Sequence, residues 1–242
     1  MHRFVYRVMR IYHKGFNFSQ DGPGNRLVYH VQGCNLRCQW CSNPESMPAN
    51  AESAKDYTTD EIVAEALSCR PMFFSGGGVT FTGGEPTVQF DALAEALASL
   101  ESAGINTCIE NNGTHERLCE LSELIDFMIV DFKHPDPEKH RYYTGADNAV
   151  IIDNIRKLSR MRRQTHIRIP LVRGVNDCAD DFIHVFRTFD LSSVTAEVLK
   201  YHEYGRGKWT GDYKIKNGFV TEEEYLDFVN ALRSAGVRIV NY

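Results

Sequence analysis

Short β-type runs and amphipathic helical runs alternate about six times along this chain, and that alternation restricts the fold more than any other feature. "RLVYHVQG" (26–33) reads as a strand and "TTDEIVAEALSC" (58–69) as a helix with a Thr cap and acids in its first turn. "GVTFTGG" reads as a strand ending in glycines, and "FDALAEALASLESAG" as a helix closed by Gly104. The pattern continues with strand "INTCIENNG", a helix over 116–124, strand "FMIVDFKH" and helix "NAVIIDNIRKLSRM". Strand "THIRIPLV", helix "DDFIHVFRTF", strand "VTAEVLKY" and helix "TEEEYLDFVNALRSAG" complete it. Strands separated by helices pair in parallel through right-handed crossovers, which leaves an open doubly wound sheet or a barrel. A complete eight-unit barrel takes about 250 residues. Six units with long loops in 242 residues therefore predict an α/β fold, a partial (β/α)6 TIM-type barrel, as a single domain over 1–242.

The unusual polar residues collect where the predicted strands end: the cysteines, "TGGEP", "ENNG", "DFKH" and "KYHEYG". In a barrel those ends converge on one mouth, where barrel enzymes keep their sites. A formal net charge of -5 gives no reason to expect nucleic acid or an anionic membrane surface. The basic run "RKLSRMRRQTHIR" (156–168) reads as a solvated helix C-terminus. No apolar run nears the roughly 18 residues that span a bilayer and no signal-peptide core is present, so a cytoplasmic location is expected. There, seven cysteines favour metal or redox chemistry over a disulfide framework.

Three of them, Cys34, Cys38 and Cys41, fall in "GCNLRCQWCSNPES" with the spacing C-x3-C-x2-C. Structural zinc prefers four protein ligands, usually as two separated pairs, and no second pair follows here. An iron–sulfur cube accepts three thiolates and leaves one iron open for a small molecule. Zinc in an interaction module remains the alternative, and metal analysis separates the two. Cys69, Cys108, Cys119 and Cys178 lie far apart in apparent helices and strands and read as small buried apolar residues.

The triad closed by Trp40–Cys41 resembles the signature of the radical S-adenosylmethionine superfamily. "DGPGNR" (21–26), "SGGGVTFTGGEP" (75–86), "VDFKH" (130–134) and "KYHEYGRGKW" (200–209) extend the resemblance, in collinear order, to its glycyl-radical-enzyme activases. The resemblance implies a [4Fe–4S] cluster on Cys34, Cys38 and Cys41, with S-adenosylmethionine chelating the open iron. One electron would cleave the sulfonium, and the resulting 5′-deoxyadenosyl radical would take an α-hydrogen from a glycine of a partner enzyme. It further implies that Gly83, Gly84 and Glu85 hold the methionine ammonium. By the same resemblance Arg168 would lie near the methionine carboxylate, His202 at the nucleoside, and Asp131 close to the cofactor. The loop Asp21, Gly22, Pro23 and Gly24 resembles the one that helps receive the partner's glycine-bearing strand. Some members hold a monovalent cation on this Asp131 position and an acid after the third strand. The family often reads D-T-N-G there; this chain reads "ENNG", and Glu110, one methylene longer, implies a cation site shifted or absent.

The implied partner is a glycyl radical enzyme, with reduced flavodoxin or ferredoxin as the implied electron donor. "CSNPES" and "KHPDPEKHRYYTG" resemble activases of lyases and dehydratases, many of which insert a ferredoxin-like module after the cysteines. Here only residues 42–74 fill that interval, a compact build resembling the pyruvate formate-lyase type. A radical enzyme acting on a small molecule is the remaining rival, and turnover without a polypeptide partner would reveal it.

Overall fold

The computed structural model describes residues 7–161 and 164–240. Nine strands form one sheet: β1 (Val8–Phe18), β2 (Asn25–Val31), β3 (Lys55–Thr58), β4 (Gly78–Gly83), β5 (Thr107–Asn111), β6 (Phe127–Asp131), β7 (Thr165–Leu171), β8 (Val194–Lys200) and β9 (Arg238–Ile239). Their order is β3-β1-β2-β4-β5-β6-β7-β8-β9. From β2 through β9 every pairing is parallel, while β1 runs antiparallel to both β2 and β3. The sheet curls as a partial barrel and does not close, because β3 and β9 are its two edges. The helices are α1 (Thr59–Cys69), α2 (Phe90–Ser102), α3 (Pro137–Thr144), α4 (Ala149–Leu158), α5 (Ala179–Phe186) and α6 (Glu222–Ser234).

The six predicted parallel strands are all present. The segment over 116–124 is a 3-10 turn, Leu118–Glu123, in place of the expected α-helix. It has to span a short link between β5 and β6, and its bonds run i to i+3, as from Glu120 N–H to the Arg117 carbonyl. In the basic run, α4 ends at Leu158 with Arg156 and Lys157 in its last turn, both paired with Asp153; Arg162 and Arg163 lie outside the described residues.

Alternation along the strands separates two environments. Leu27, Tyr29, Val31, Val79, Phe81, Ile109, Val130, Ile167, Ile169 and Val198 join the buried apolar core under the helices. Toward the C-terminal strand ends, residues of the other face are polar: His30, Thr82, Glu110, Asp131, Arg168 and Glu197 all line a single cavity. A barrel interior is ordinarily filled by branched apolar side chains. A polar interior here leaves room for a ligand. Among the described residues no helix is long and apolar enough to cross a membrane.

Candidate active site

The cavity, about 680 Å³, sits at the C-terminal ends of the parallel strands. Its wall includes all three loop cysteines, Trp40, the Gly83–Gly84–Glu85 turn, Glu110, Asp131, Lys133, Arg168, Glu197 and His202. The cysteine loop leaves β2 at Gly33, whose φ of 100° suits glycine. Two backbone bonds clamp the loop onto the end of α3: Arg37 N–H to the Thr144 carbonyl (2.6 Å) and Gln39 N–H to the Tyr143 carbonyl (3.1 Å). Leu36, Cys38, Trp40, Val172, Val175, Tyr201 and Ile215 form a separate small apolar cluster behind it. The backbone N–H groups of Leu36 and Asn43 donate to the sulfurs of Cys34 and Cys41, each at 3.4 Å. Burial raises all three thiol pKa values, that of Cys34 to about 11.

The glycine turn lies directly against the entry to that loop. Gly84 N–H donates to the Val31 carbonyl and Glu85 N–H to the Gly33 carbonyl, both at 2.8 Å. Gly83 adopts φ 109°, and a β-carbon there would lie 2.4 Å from the Val31 nitrogen. Glu85 is buried and braces the turn: one oxygen accepts from the Thr87 N–H (2.9 Å) and hydroxyl (2.5 Å), the other from Asn112 N–H (2.6 Å). Burial pushes its carboxyl above the usual range.

Across the cavity, Asp131 pairs with Lys133 at 2.8 Å. Burial disfavours the Lys133 ammonium, yet Asp131 and the neighbouring sulfurs hold its pKa above the ordinary lysine range. In "VDFKH" the motif itself marks Asp131, while Lys133 gains its role only from the folded strand end, which brings it near the thiols. Arg168 Nη1 donates to Glu110 (2.6 Å), Nε to Glu197 (3.1 Å) and Nη2 to the Gln20 carbonyl (2.8 Å). Burial pushes Glu110 up, while Arg168 pulls it back down. The His202 ring stacks on Tyr204 at 4.1 Å between centroids. Its Nδ1 is buried without a hydrogen-bond partner among the described residues, and burial favours the neutral imidazole.

The loop at 21–24 enters from the other end of the barrel. Asp21 reaches the cavity, and its carbonyl accepts from Thr80 Oγ1 at 2.7 Å. Gly22 and Gly24 instead pack the turn beneath it, against Cys108, Arg26 and the backbone at 74–77. Arg26 is fully buried and bonds Thr80 Oγ1, Asn106 Oδ1 and the carbonyls of Pro23, Gly76, Val79 and Asn106. The last residue of "DGPGNR" thus knots the loop to the sheet.

A polar cavity at the strand ends of a partial barrel, lined by three thiols, marks the chain as an α/β enzyme. The Radical SAM superfamily profile matches residues 28–187. Pyruvate formate-lyase-activating enzyme of Staphylococcus epidermidis (strain ATCC 12228 / FDA PCI 1200) is 38% identical over 211 residues, 81% of this chain and 84% of that protein. Its counterpart in Staphylococcus aureus (strain USA300) is 39% identical over 200 residues, 78% and 79% respectively. Among solved structures, a domain of pyruvate-formate lyase-activating enzyme from Bacteroides vulgatus has a TM-score of 0.56 at 24% identity, covering 68% of this chain and 98% of that one. A radical SAM methyltransferase from Sphaerobacter thermophilus has a TM-score of 0.65 at 15% identity, covering 98% and 77%; both show the fold. The chain belongs to the Radical SAM superfamily and, within it, to the enzymes that activate glycyl radical enzymes.

Its cofactors are a [4Fe–4S] cluster and S-adenosylmethionine. The residues fit both: three thiols line one cavity, two of them already accepting backbone N–H bonds, and His202 lines the same space, which is large enough for a nucleoside. The donors for a monovalent cation fit poorly, because Glu110 and Asp131 each bond a side-chain cation.

Proposed function

We propose that the strand-end cavity carries the activase reaction through the residues named above, and that the chain works as one domain in the cytoplasm. The observation that carries this reading is the convergence of Cys34, Cys38, Cys41, the Gly83–Gly84 turn, Asp131, Lys133 and His202 on one cavity. When bound, the cluster and S-adenosylmethionine supply one-electron cleavage of a sulfonium and hydrogen-atom abstraction from a glycine Cα. Cys34, Cys38 and Cys41 hold three irons. Gly83 and Gly84 bring backbone close to the methionine ammonium, while Glu85 fixes that turn and adds negative charge beside it. Lys133 and Arg168 present positive charge toward the carboxylate, and Asp131 orients Lys133. His202 donates or accepts at the nucleoside, Trp40 shields the cluster loop from water, and Asp21 with its loop forms the floor on which the partner's glycine strand rests.

The partner we propose is pyruvate formate-lyase, which relatives 38–39% identical over most of this chain carry in their names. A second reading, a lyase or dehydratase of the glycyl-radical type, is favoured by "CSNPES" after the last cluster cysteine. The electron comes from reduced flavodoxin or ferredoxin. Supporting an external donor, the remaining cysteines are dispersed over α1, β5, the 3-10 turn and the residue before α5.

The test is anaerobic reconstitution with iron and sulfide, then addition of S-adenosylmethionine and reductant to lysate of the source organism lacking this gene. A glycyl-radical doublet in electron paramagnetic resonance, with 5′-deoxyadenosine formed alongside, is expected, and the polypeptide cut after oxygen exposure names the partner. 5′-Deoxyadenosine without any glycyl radical, with an intact candidate partner present, would overturn the reading. Cys38→Ala should lose normal four-iron loading and S-adenosylmethionine cleavage together.

A further inference from the structure

The four strand ends that face the cofactor side of the cavity carry Glu110 (β5), Asp131 (β6), Arg168 (β7) and Glu197 (β8). In the sheet register Asp131 stands beside Arg168, and Arg168 beside Glu197. A cation held between Asp131 and the acid on β5 needs both carboxylates turned toward one point with oxygens to spare. Each carboxylate already holds a side-chain cation of the protein. Asp131 Oδ2 receives the Lys133 ammonium at 2.8 Å. Glu110 Oε1 receives Arg168 Nη1 at 2.6 Å, and its Oε2 receives the Thr82 hydroxyl at 3.3 Å.

The length of the side chain explains the second pairing. Glu110 and Arg168 stand two strands apart, about 9–10 Å at ordinary sheet spacing. The Glu110 carboxylate must pass over β6 to meet the guanidinium. An aspartate would fall short by one carbon–carbon bond, about 1.5 Å. Arg168 is itself held from two other sides, by Glu197 at 3.1 Å and the Gln20 carbonyl at 2.8 Å. A planar guanidinium fixed at three edges is a rigid, permanently charged group.

We infer that in this enzyme the Arg168 guanidinium and the Lys133 ammonium stand in place of the monovalent cation that the family implies, so that S-adenosylmethionine binds without one. Glu110 is then a positioning residue: it holds Arg168, and it does so because it is a glutamate. The inference rests on the reading of this cavity as the S-adenosylmethionine site.

The cluster-loaded protein is dialysed anaerobically into buffers whose only added cation is K⁺, Na⁺ or tetramethylammonium. S-adenosylmethionine affinity is measured by equilibrium dialysis, and the electron paramagnetic resonance line shape of the reduced cluster is recorded with and without it. The expected result is a Kd constant to within about twofold across the three buffers, and one line shape. A Kd about fivefold or more weaker in tetramethylammonium, or a line shape that follows the cation, would overturn the inference. Glu110→Asp withdraws the carboxylate from Arg168, and its Kd should be at least about fivefold weaker in tetramethylammonium than in K⁺. A Glu110→Asp protein as indifferent to the cation as the parent would overturn the part given to the reach of Glu110. Failure to bind S-adenosylmethionine in every buffer would strike the cofactor reading itself, a different result from cation dependence.

Discussion

A methyl group on Gly84 would lie 2.2 Å from the Gly33 carbonyl oxygen and 2.8 Å from its carbon, both main-chain atoms. Neither can step aside without parting the glycine turn from the entry of the cysteine loop, because the Glu85 N–H to Gly33 carbonyl bond joins them. Gly84→Ala is therefore expected to lose about 1–3 kcal/mol of stability by overpacking and to weaken S-adenosylmethionine binding at least about tenfold. Gly207→Ala, where an added carbon meets nothing within 4 Å, is the matched control and should leave both unchanged. Urea denaturation and equilibrium dialysis on the two variants check it; equal behaviour would remove the turn from the site. Spacing made the three thiols legible in the sequence, since each sits on one short loop whatever the fold. Glycines beside an acid at a strand end were legible for the same local reason. The Arg168 partners were not, because Glu110 and Glu197 meet it only through the register of β5, β7 and β8. Lys133 was equally hidden: a lysine just past a strand end looks like a solvated cation until burial places it beside sulfur.

At the scale of elements, α3 shows how a short helix can govern a distant loop. Asp136 caps its start and Gly145, at φ 91°, ends it. Its composition, "PEKHRYYT", lacks the apolar periodicity that marks a helix in a sequence. Strands β1 and β3 fall outside the alternating pattern for a related reason: they pair antiparallel, beyond the repeating unit. Inside α3, His140 is wholly buried, with Nδ1 2.6 Å from the Ala146 carbonyl and Nε2 without a hydrogen-bond partner among the described residues. The carbonyl contact requires a proton on Nδ1, so a second proton would put an unpaired charge at Nε2. Burial accordingly lowers the His140 pKa to about 4. An unfolded histidine titrates near 6.5. The stabilising contribution is complete above that pH and is lost as pH falls through the window toward 4, reaching about 3 kcal/mol at the acid end. Because the carbonyls of Tyr143 and Thr144 hold the cysteine loop, the helix and the loop should loosen together. The urea midpoint of the apoprotein is expected to fall more steeply from pH 6.5 to 4.5 than that of His140→Asn. Parallel curves for the two proteins would rule out His140 as the acid-sensitive latch.

Over the whole molecule, two loops reach the cavity from different ends of the open barrel. The cysteine loop and glycine turn occupy the strand ends, while the 21–24 loop rises from the opposite side and brings only Asp21 to the cavity. The Asp21 side chain accepts from Asn17 Nδ2 at 2.5 Å, and its main-chain carbonyl, bonded to Thr80, is what ties the loop to β4. Removing the carboxylate therefore leaves the Thr80 anchor and the Arg26 knot intact. If this loop is the floor for the partner's glycine, Asp21→Ala separates two functions that share one cavity. Iron content and S-adenosylmethionine Kd should stay within about twofold of the parent, whereas glycyl-radical yield on the partner falls about tenfold or more. Cleavage to 5′-deoxyadenosine without partner should persist, so the ratio of 5′-deoxyadenosine to glycyl radical rises. The alternative is equally measurable: if Asp21→Ala weakens S-adenosylmethionine binding as much as it lowers radical yield, the loop acts on the cofactor and the glycine must enter elsewhere, through the gap between the sheet edges β3 and β9.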